Sequence, residues 1–290
     1  MVDTDSDDRH DHAAVVERVM GAVADLAPSI RATLRGRRGT VDAANPSGEQ
    51  QLAADVRADE LLLDRLQTVD GVAAYASEER AEVIDCGTGL SVATDPLDGS
   101  SNLKSNNPMG TIVGLYDAPL PARGRSLVGA GFVLYGPITT MVVAVDDAVT
   151  EYEIDDGERE PIGAVSLPED PVVYGFGGRV PEWTDGFRSY ARGIESELKL
   201  RYGGAMIADV SQVLTYGGVF AYPGLTDRPE GKLRLQFEGN PMAYVVETAG
   251  GASSDGGGSI LDREPNGLHG RTPVHVGNEA LIDRLEHAID

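Results

Sequence analysis

The run Asp95-Pro96-Leu97-Asp98-Gly99-Ser100-Ser101-Asn102 holds the residues best suited to chemistry. Two carboxylates three residues apart at the end of a short apolar segment, with Pro96 stiffening the turn, can face one cluster of cations. Hard oxygen donors of this kind suit Mg²⁺ or Mn²⁺, and the Leu97 carbonyl lies between the two acids. Gly99, Ser100 and Ser101 then offer backbone N–H groups and hydroxyls at a helix start, where unpaired donors and the helix dipole favour a phosphate. In isolation the same run reads more readily as an Asp-Gly turn with a Ser-Ser cap. The neighbouring acids tip the reading toward a site. Glu78-Glu79 close the preceding short strand, Glu49 and Asp55 lie on the segment before it, and Glu238 ends the stretch Lys232 to Glu238. Period-two alternation in that stretch predicts a strand with Lys232, Arg234, Gln236 and Glu238 on one face and Leu233, Leu235 and Phe237 on the other. Two cations and a carboxylate on one face suit a cleft for a phosphate and a metal; an ordinary edge strand is the alternative.

The elements that must position these residues follow from apolar spacing. Val15, Val16, Val19, Val23, Leu26, Ile30 and Leu34 predict a helix behind a flexible acidic tail at residues 1–12, with Pro28 as a kink point. A loop is expected from Arg35 to Gly48, whose three arginines either steer an anion or complement a helix C-terminus. A helix from Glu49 to Leu66 and strands at 72–76 and 91–94 lead into the acidic motifs. Segments 111–116, 128–135, 138–145 and 149–154 read as a meander. Beyond Pro161 to Pro171 strands and helices alternate, which predicts layered α/β structure, and Asn278 is placed to cap the last helix through its side chain. The expected organisation is residues 13–165 as an N-terminal α+β domain and 166–290 as a C-terminal α/β domain.

Composition narrows the partners. The chain has 290 residues, 41% of them hydrophobic, and a formal charge of -23. That charge excludes nucleic acid as the main partner and adhesion to an anionic membrane. Only three lysines occur (Lys104, Lys199, Lys232), aromatic residues make up 6%, and acids abound, a pattern resembling proteins of salt-in halophiles. An acidic mesophilic protein is the other reading. Cys86 is the only cysteine, so neither an intrachain disulfide nor a cysteine-pair zinc site can form. No apolar run reaches the length of a membrane span and the start lacks signal-peptide character, so a cytoplasmic protein is expected.

The chain is similar to the class I fructose-1,6-bisphosphatases, within the lithium-sensitive, metal-dependent sugar phosphatase superfamily that includes inositol monophosphatases. The resemblance runs from about Gly48 to about Gly251. Besides Asp95 to Asn102 it rests on Ser77-Glu78-Glu79, on Arg201 to Val210, on Tyr216 to Pro223, and on Lys232 through Glu238 to Tyr244. It implies a five-layer αβαβα fold and hydrolysis of the 1-phosphate of fructose 1,6-bisphosphate in gluconeogenesis. It further implies that Glu78, Asp95, Asp98, Glu238 and the Leu97 carbonyl bind two Mg²⁺ ions, with Mn²⁺ as an alternative. Glu49 stands where the family has an aspartate for a third ion. The N-terminal domain would thus carry the metals and the 1-phosphate on Asp98, Gly99, Ser100 and Ser101. The C-terminal domain would hold the 6-phosphate with Tyr202, Tyr222 and Lys232, the sugar with Met206, and one metal ligand. Arg234 adds local positive charge, and Arg201 would reach in from a neighbouring subunit of a dimer or tetramer. Asp55 and Glu79 match the acid-base pair, although Glu79 can equally serve as a hydrogen-bond acceptor behind Glu78.

Two departures stand out. The vertebrate AMP segment is missing and Gly89-Leu90 occupy the place of its Lys-Tyr pair, so AMP inhibition is not expected. Gly177-Gly178-Arg179-Val180 replaces an asparagine and a tyrosine of the 6-phosphate pocket, either with Arg179 as a substitute or as a plain glycine turn. A sedoheptulose-1,7-bisphosphatase, a broader sugar or inositol phosphate phosphatase, and a catalytically silent sugar-phosphate sensor are the competing functions.

Overall fold

Strand residues that alternate between two apolar faces build this fold, because each face needs its own cover. The computed structural model describes residues 4–35, 40–46 and 50–289. Helix α1 (Thr4–Thr33) leads through the ribbon β1 (Thr40–Ala44) and β2 (Gln50–Leu52) to α2 (Ala53–Leu66). Then follow β3 (Val72–Ser77), β4 (Ile84–Asp85), β5 (Leu90–Asp98) and β6 (Met109–Tyr116). The meander continues through β7 (Leu127–Tyr135), β8 (Thr139–Val145), β9 (Ala148–Asp155) and β10 (Glu158–Ala164). These eight strands form one sheet in the order β10-β9-β8-β7-β6-β5-β3-β4, antiparallel except between β3 and β5. The rest comprises β11 (Val173–Phe176), α3 (Asp185–Glu195), β12 (Lys199–Leu200), α4 (Met206–Tyr216) and β13 (Gly218–Tyr222). After them come β14 (Leu233–Arg234), α5 (Asn240–Thr248), β15 (Ala252–Ser254), β16 (Arg271–Thr272), β17 (Val274–Gly277) and α6 (Glu279–Ile289). A second sheet has the order β12-β11-β13-β17-β15, and β14 pairs with β16.

Three cores separate five layers. Val16 and Met20 of α1 and Leu62 of α2 pack on Tyr75, Val92, Val113, Val133 and Val143 of the large sheet. The alternate residues Ala93, Ile112, Phe132 and Val142 face the other way, toward Ile207 and Val210 of α4 and Val245 of α5. Those helices also cover Phe220 and Val276 of the second sheet, whose far face carries Tyr174, Phe176 and Val219 against Phe187 of α3 and Leu281 of α6. The layers therefore run α, β, α, β, α, as the resemblance implies. Each large apolar side chain buried in these cores contributes about 1.5–3 kcal/mol relative to exposure. Among the described residues, no helix is long and apolar enough to cross a membrane.

Several local expectations fail, each for a visible reason. The tail expected at residues 1–12 is helical from Thr4 onward, since no proline or glycine interrupts the chain before the amphipathic part of α1. The loop expected from Arg35 to Gly48 contains β1, which is held antiparallel to β2; Arg37, Arg38, Ser47, Gly48 and Glu49 lie outside the described residues. The next helix begins at Ala53 rather than Glu49, because the Asp55 carboxylate closes back on the Leu52 N–H at 2.8 Å. The strand expected over Lys232 to Glu238 is only two residues long and gives way to a π turn, Leu235–Gly239. Here side-chain hydrogen bonds outcompete the ladder: Glu238 accepts the Arg234 N–H, and the Gln236 amide bonds both the N–H and the carbonyl of Ala122. Gln236 is thereby buried in the core instead of sharing a face with Lys232. Asn278 does not cap α6 with its side chain. Its Oδ1 accepts the Gly218 N–H at 2.6 Å and its Nδ2 donates to the Pro168 carbonyl at 2.7 Å, which ties the helix start to β13.

Candidate active site

The parallel pair β3 and β5 sets the site. Ser77, the last residue of β3, lies opposite Thr94, so the chain leaves β3 beside the Asp95–Asp98 end of β5, and the carboxyl ends of parallel strands open a crevice. The Glu78 N–H donates to the Thr94 carbonyl at 3.1 Å, which places the Glu78-Glu79 turn beside Asp95. Arg80 anchors that turn from behind: its guanidinium pairs with Asp59 of α2 at 2.7 Å, and its carbonyl meets the His269 ring at 2.8 Å. The Asp95 carboxylate accepts the Leu97 N–H at 2.9 Å. Gly99 then turns the chain at φ +74°, and Ser100–Lys104 form a 3-10 turn. Only glycine fits there, since a Cβ would stand 2.2 Å from that of Ala205.

A cleft of about 270 Å³ gathers the expected residues. Asp55, Glu78, Glu79, Asp95, Asp98 and Glu238 line it, together with Leu97, Gly99, Ser100 and Ser101. So do Tyr202, Met206, Tyr222, Lys232 and Arg234, which arrive from the second half of the chain. Lys232 Nζ sits 5.7 Å from the Tyr222 ring centroid, and the buried Arg234 guanidinium lies 3.4 Å from Glu78. Arg201 does not line the cleft; it is exposed, with its N–H bonded to the Tyr174 carbonyl. Glu49 falls outside the described residues. Arg179 is also absent from the cleft and lies 3.6 Å from Glu182. Gly177 matters differently, because a Cβ there would come within 2.2 Å of the Tyr222 ring. Sequence reasoning overlooked Asn45, Gly204, Phe220 and Leu233, which also line the cleft. Asn45 was legible only as part of an Asn-Pro turn signal.

Ligand oxygens of Asp95, Asp98 and Glu238 lie within 4.8 Å of one another, and all three residues are buried. Burial raises the pKa of each, repulsion from Glu78 adds to it, and Asp98 further raises Asp95 and Glu238. Asp98 is pushed up to about 6, the Ile207 N–H and Lys232 partly offsetting burial. Asp55 is also pushed up to about 6, by burial, against the hydrogen bonds of the Leu52 N–H and Ser100. Asp209 of α4 is raised to about 7 by burial, although the Gly203 and Gly204 N–H groups favour its charged form. Three buried carboxylates whose ligand oxygens converge fit a hard divalent cation, whose charge offsets their repulsion.

Models of the fructose-1-6-bisphosphatase N-terminal and C-terminal domains match residues 6–162 and 167–290. The chain belongs to the class 1 fructose-1,6-bisphosphatase family. It is 61% identical over 281 residues to the fructose-1,6-bisphosphatase class 1 of Natronomonas pharaonis, covering 96% of this chain and 99% of that one. The Halobacterium salinarum protein of the same name is 60% identical over 281 residues, 96% and 98% covered. Both come from halophilic archaea. A crystal structure of Leishmania major fructose-1,6-bisphosphatase in holo form has a TM-score of 0.88 at 29% identity, covering 96% of this chain and 94% of that one. A Toxoplasma gondii structure, described as a candidate sedoheptulose-1,7 bisphosphatase, has a TM-score of 0.86 at 28% identity, with 94% and 93% covered. This member of the fructose-1,6-bisphosphatase family thus has its acidic cluster and the Gly99-Ser100-Ser101 turn in one cleft.

Proposed function

We propose that the protein hydrolyses the 1-phosphate of D-fructose 1,6-bisphosphate to give fructose 6-phosphate and phosphate, in gluconeogenesis in the cytoplasm. The observation that carries this reading is the convergence of Asp95, Asp98 and Glu238 within 4.8 Å, in the cleft that Ser100, Ser101 and Lys232 also line. Asp95, Asp98, Glu238 and Glu78, with the Leu97 carbonyl, would hold two Mg²⁺ or Mn²⁺ ions, and Glu49 a third. Such ions, when bound, acidify a coordinated water, neutralise phosphoryl oxygens and stabilise the leaving alkoxide. Gly99, Ser100 and Ser101 orient the 1-phosphate through their N–H groups and hydroxyls. Asp55 or Glu79 accepts the proton of the attacking water; Asp55, with a pKa raised to about 6, is mostly ionised at neutral pH and able to do so. Tyr202, Tyr222 and Lys232 bind the 6-phosphate, Met206 packs on the sugar, and Arg234 adds local positive charge beside Glu78. The exposure of Arg201 agrees with a role across a subunit boundary in a dimer or tetramer. Residues 13–165 would then supply the metals and the 1-phosphate site, and residues 166–290 the distal site and Glu238.

Phosphate release from fructose 1,6-bisphosphate, sedoheptulose 1,7-bisphosphate and an inositol phosphate, with Mg²⁺ or with EDTA, tests the reading. Fastest Mg²⁺-dependent release from the fructose substrate is expected. Release from none of them refutes an enzyme of this class, and preference for the sedoheptulose substrate supports the second reading, which the likeness to the T. gondii structure favours. With Gly89-Leu90 at the start of β5 and no vertebrate AMP segment, AMP at micromolar concentration is expected to leave the rate unchanged. Half-inhibition in that range contradicts this.

A further inference from the structure

Tyr202 reaches the cleft from a stretch, residues 201–205, that belongs to no helix or strand. The residue is 44% exposed, so packing does not enclose its side chain. The backbone is fixed instead. The Gly203 N–H donates to Asp209 Oδ1 of α4 at 2.7 Å, and the Gly203 carbonyl accepts from Asn102 Nδ2 at 2.9 Å. Asn102 sits on the 3-10 turn that follows Gly99, and its second amide hydrogen goes to the Pro108 carbonyl at 2.9 Å. Both Asn102 and Asp209 are buried. The same two segments also touch where the Ile207 N–H donates to Asp98 Oδ2 at 2.7 Å and where Gly99 packs on Ala205. Glycines 203 and 204 would otherwise leave this stretch free to sample many conformations, the second with φ +83°.

We propose that Asp209 and Asn102 are positioning residues that hold the N–H and the carbonyl of Gly203, one each, locking the placement of Tyr202 to the turn bearing Ser100 and Ser101. The clamp sets the distance between the two phosphate subsites and so selects a bisphosphate over a monophosphate; this rests on the bisphosphatase reading above. Asp209→Leu removes the acceptor at similar size, whereas Asp209→Asn keeps Oδ1. The Leu variant is expected to raise KM for fructose 1,6-bisphosphate about tenfold with kcat within about threefold, while kcat/KM for fructose 1-phosphate changes by less than about threefold. The Asn variant is expected to hold both substrates within about threefold of the parent. Hydrogen exchange at the Gly203 amide, slow in the parent and in Asp209→Asn, should become fast in Asp209→Leu. Equal losses on both substrates, an unchanged KM, or a still-protected amide in the Leu variant would overturn the clamp. Should that variant fail to fold, Asn102→Ser removes the donor to the Gly203 carbonyl and is read by the same KM ratio on the two substrates, with kcat held within about threefold. If the parent turns over neither substrate, the bisphosphatase reading fails, and amide exchange still decides whether the clamp exists.

Discussion

Asp95→Asn is expected to lower kcat/KM by at least about a hundredfold, the upper range for residues that only support a metal ligand. Asp95 is buried and faces Asp98, Glu238, Glu78 and Glu79, so the substitution removes the negative charge at the centre of the acidic cluster while keeping its volume. The stability effect should have the opposite sign. A carboxylate whose folded pKa is raised costs stability once pH exceeds the unfolded value of about 3.9, and that cost grows until pH passes the folded pKa. In EDTA at neutral pH the Asn variant should therefore melt higher than the parent, while the rise in Tm that Mg²⁺ gives the parent should shrink or vanish. Retention of most activity, or an unchanged Mg²⁺ increment in Tm, contradicts the assignment of Asp95 as a ligand.

Raising KCl from 0.1 M to 2 M is expected to increase Tm by about 5–10 °C, equivalent to a few kcal/mol for a chain of this size. The formal charge of -23 means that folding brings like charges together. The hairpin of β9 and β10 shows this locally. Glu153, Asp155, Asp156, Glu158 and Glu160 are exposed there, and the one arginine among them, Arg159, is committed to Glu17 at 2.6 Å. At molar salt the Debye length falls to about 3 Å and such repulsion is largely screened. A sucrose series of matched osmolality separates screening from general exclusion of the solute. Equal Tm in dilute buffer and in 2 M KCl counts against a salt-adapted surface, which the halophilic relatives support.

The local chemistry was legible in the sequence. Asp95 to Ser101 and Glu78-Glu79 sit in short motifs whose residue types suit a cation cluster and a phosphate turn once the neighbouring acids and the family resemblance are weighed. The meander, the alternation of later strands and helices, and most of the cleft residues followed from periodicity or from the family motifs. What failed were places where a long-range partner outbids local pattern. Period two placed Gln236 beside Lys232, yet Ala122, far away in the chain, offers its amide two hydrogen bonds that a strand would forgo. Asn278 looked like a cap until Gly218 and Pro168 claimed both ends of its side chain. The sequence alone determined which residues carry charge and offer oxygen donors suited to a cation, because that depends on side-chain type and on neighbours a few positions apart. Only the tertiary structure decided that Asp98, Glu238 and Tyr202 share one cleft and that the Gly203 peptide is held between two elements. Those contacts join residues about a hundred positions apart, and their geometry exists only once the five layers have packed.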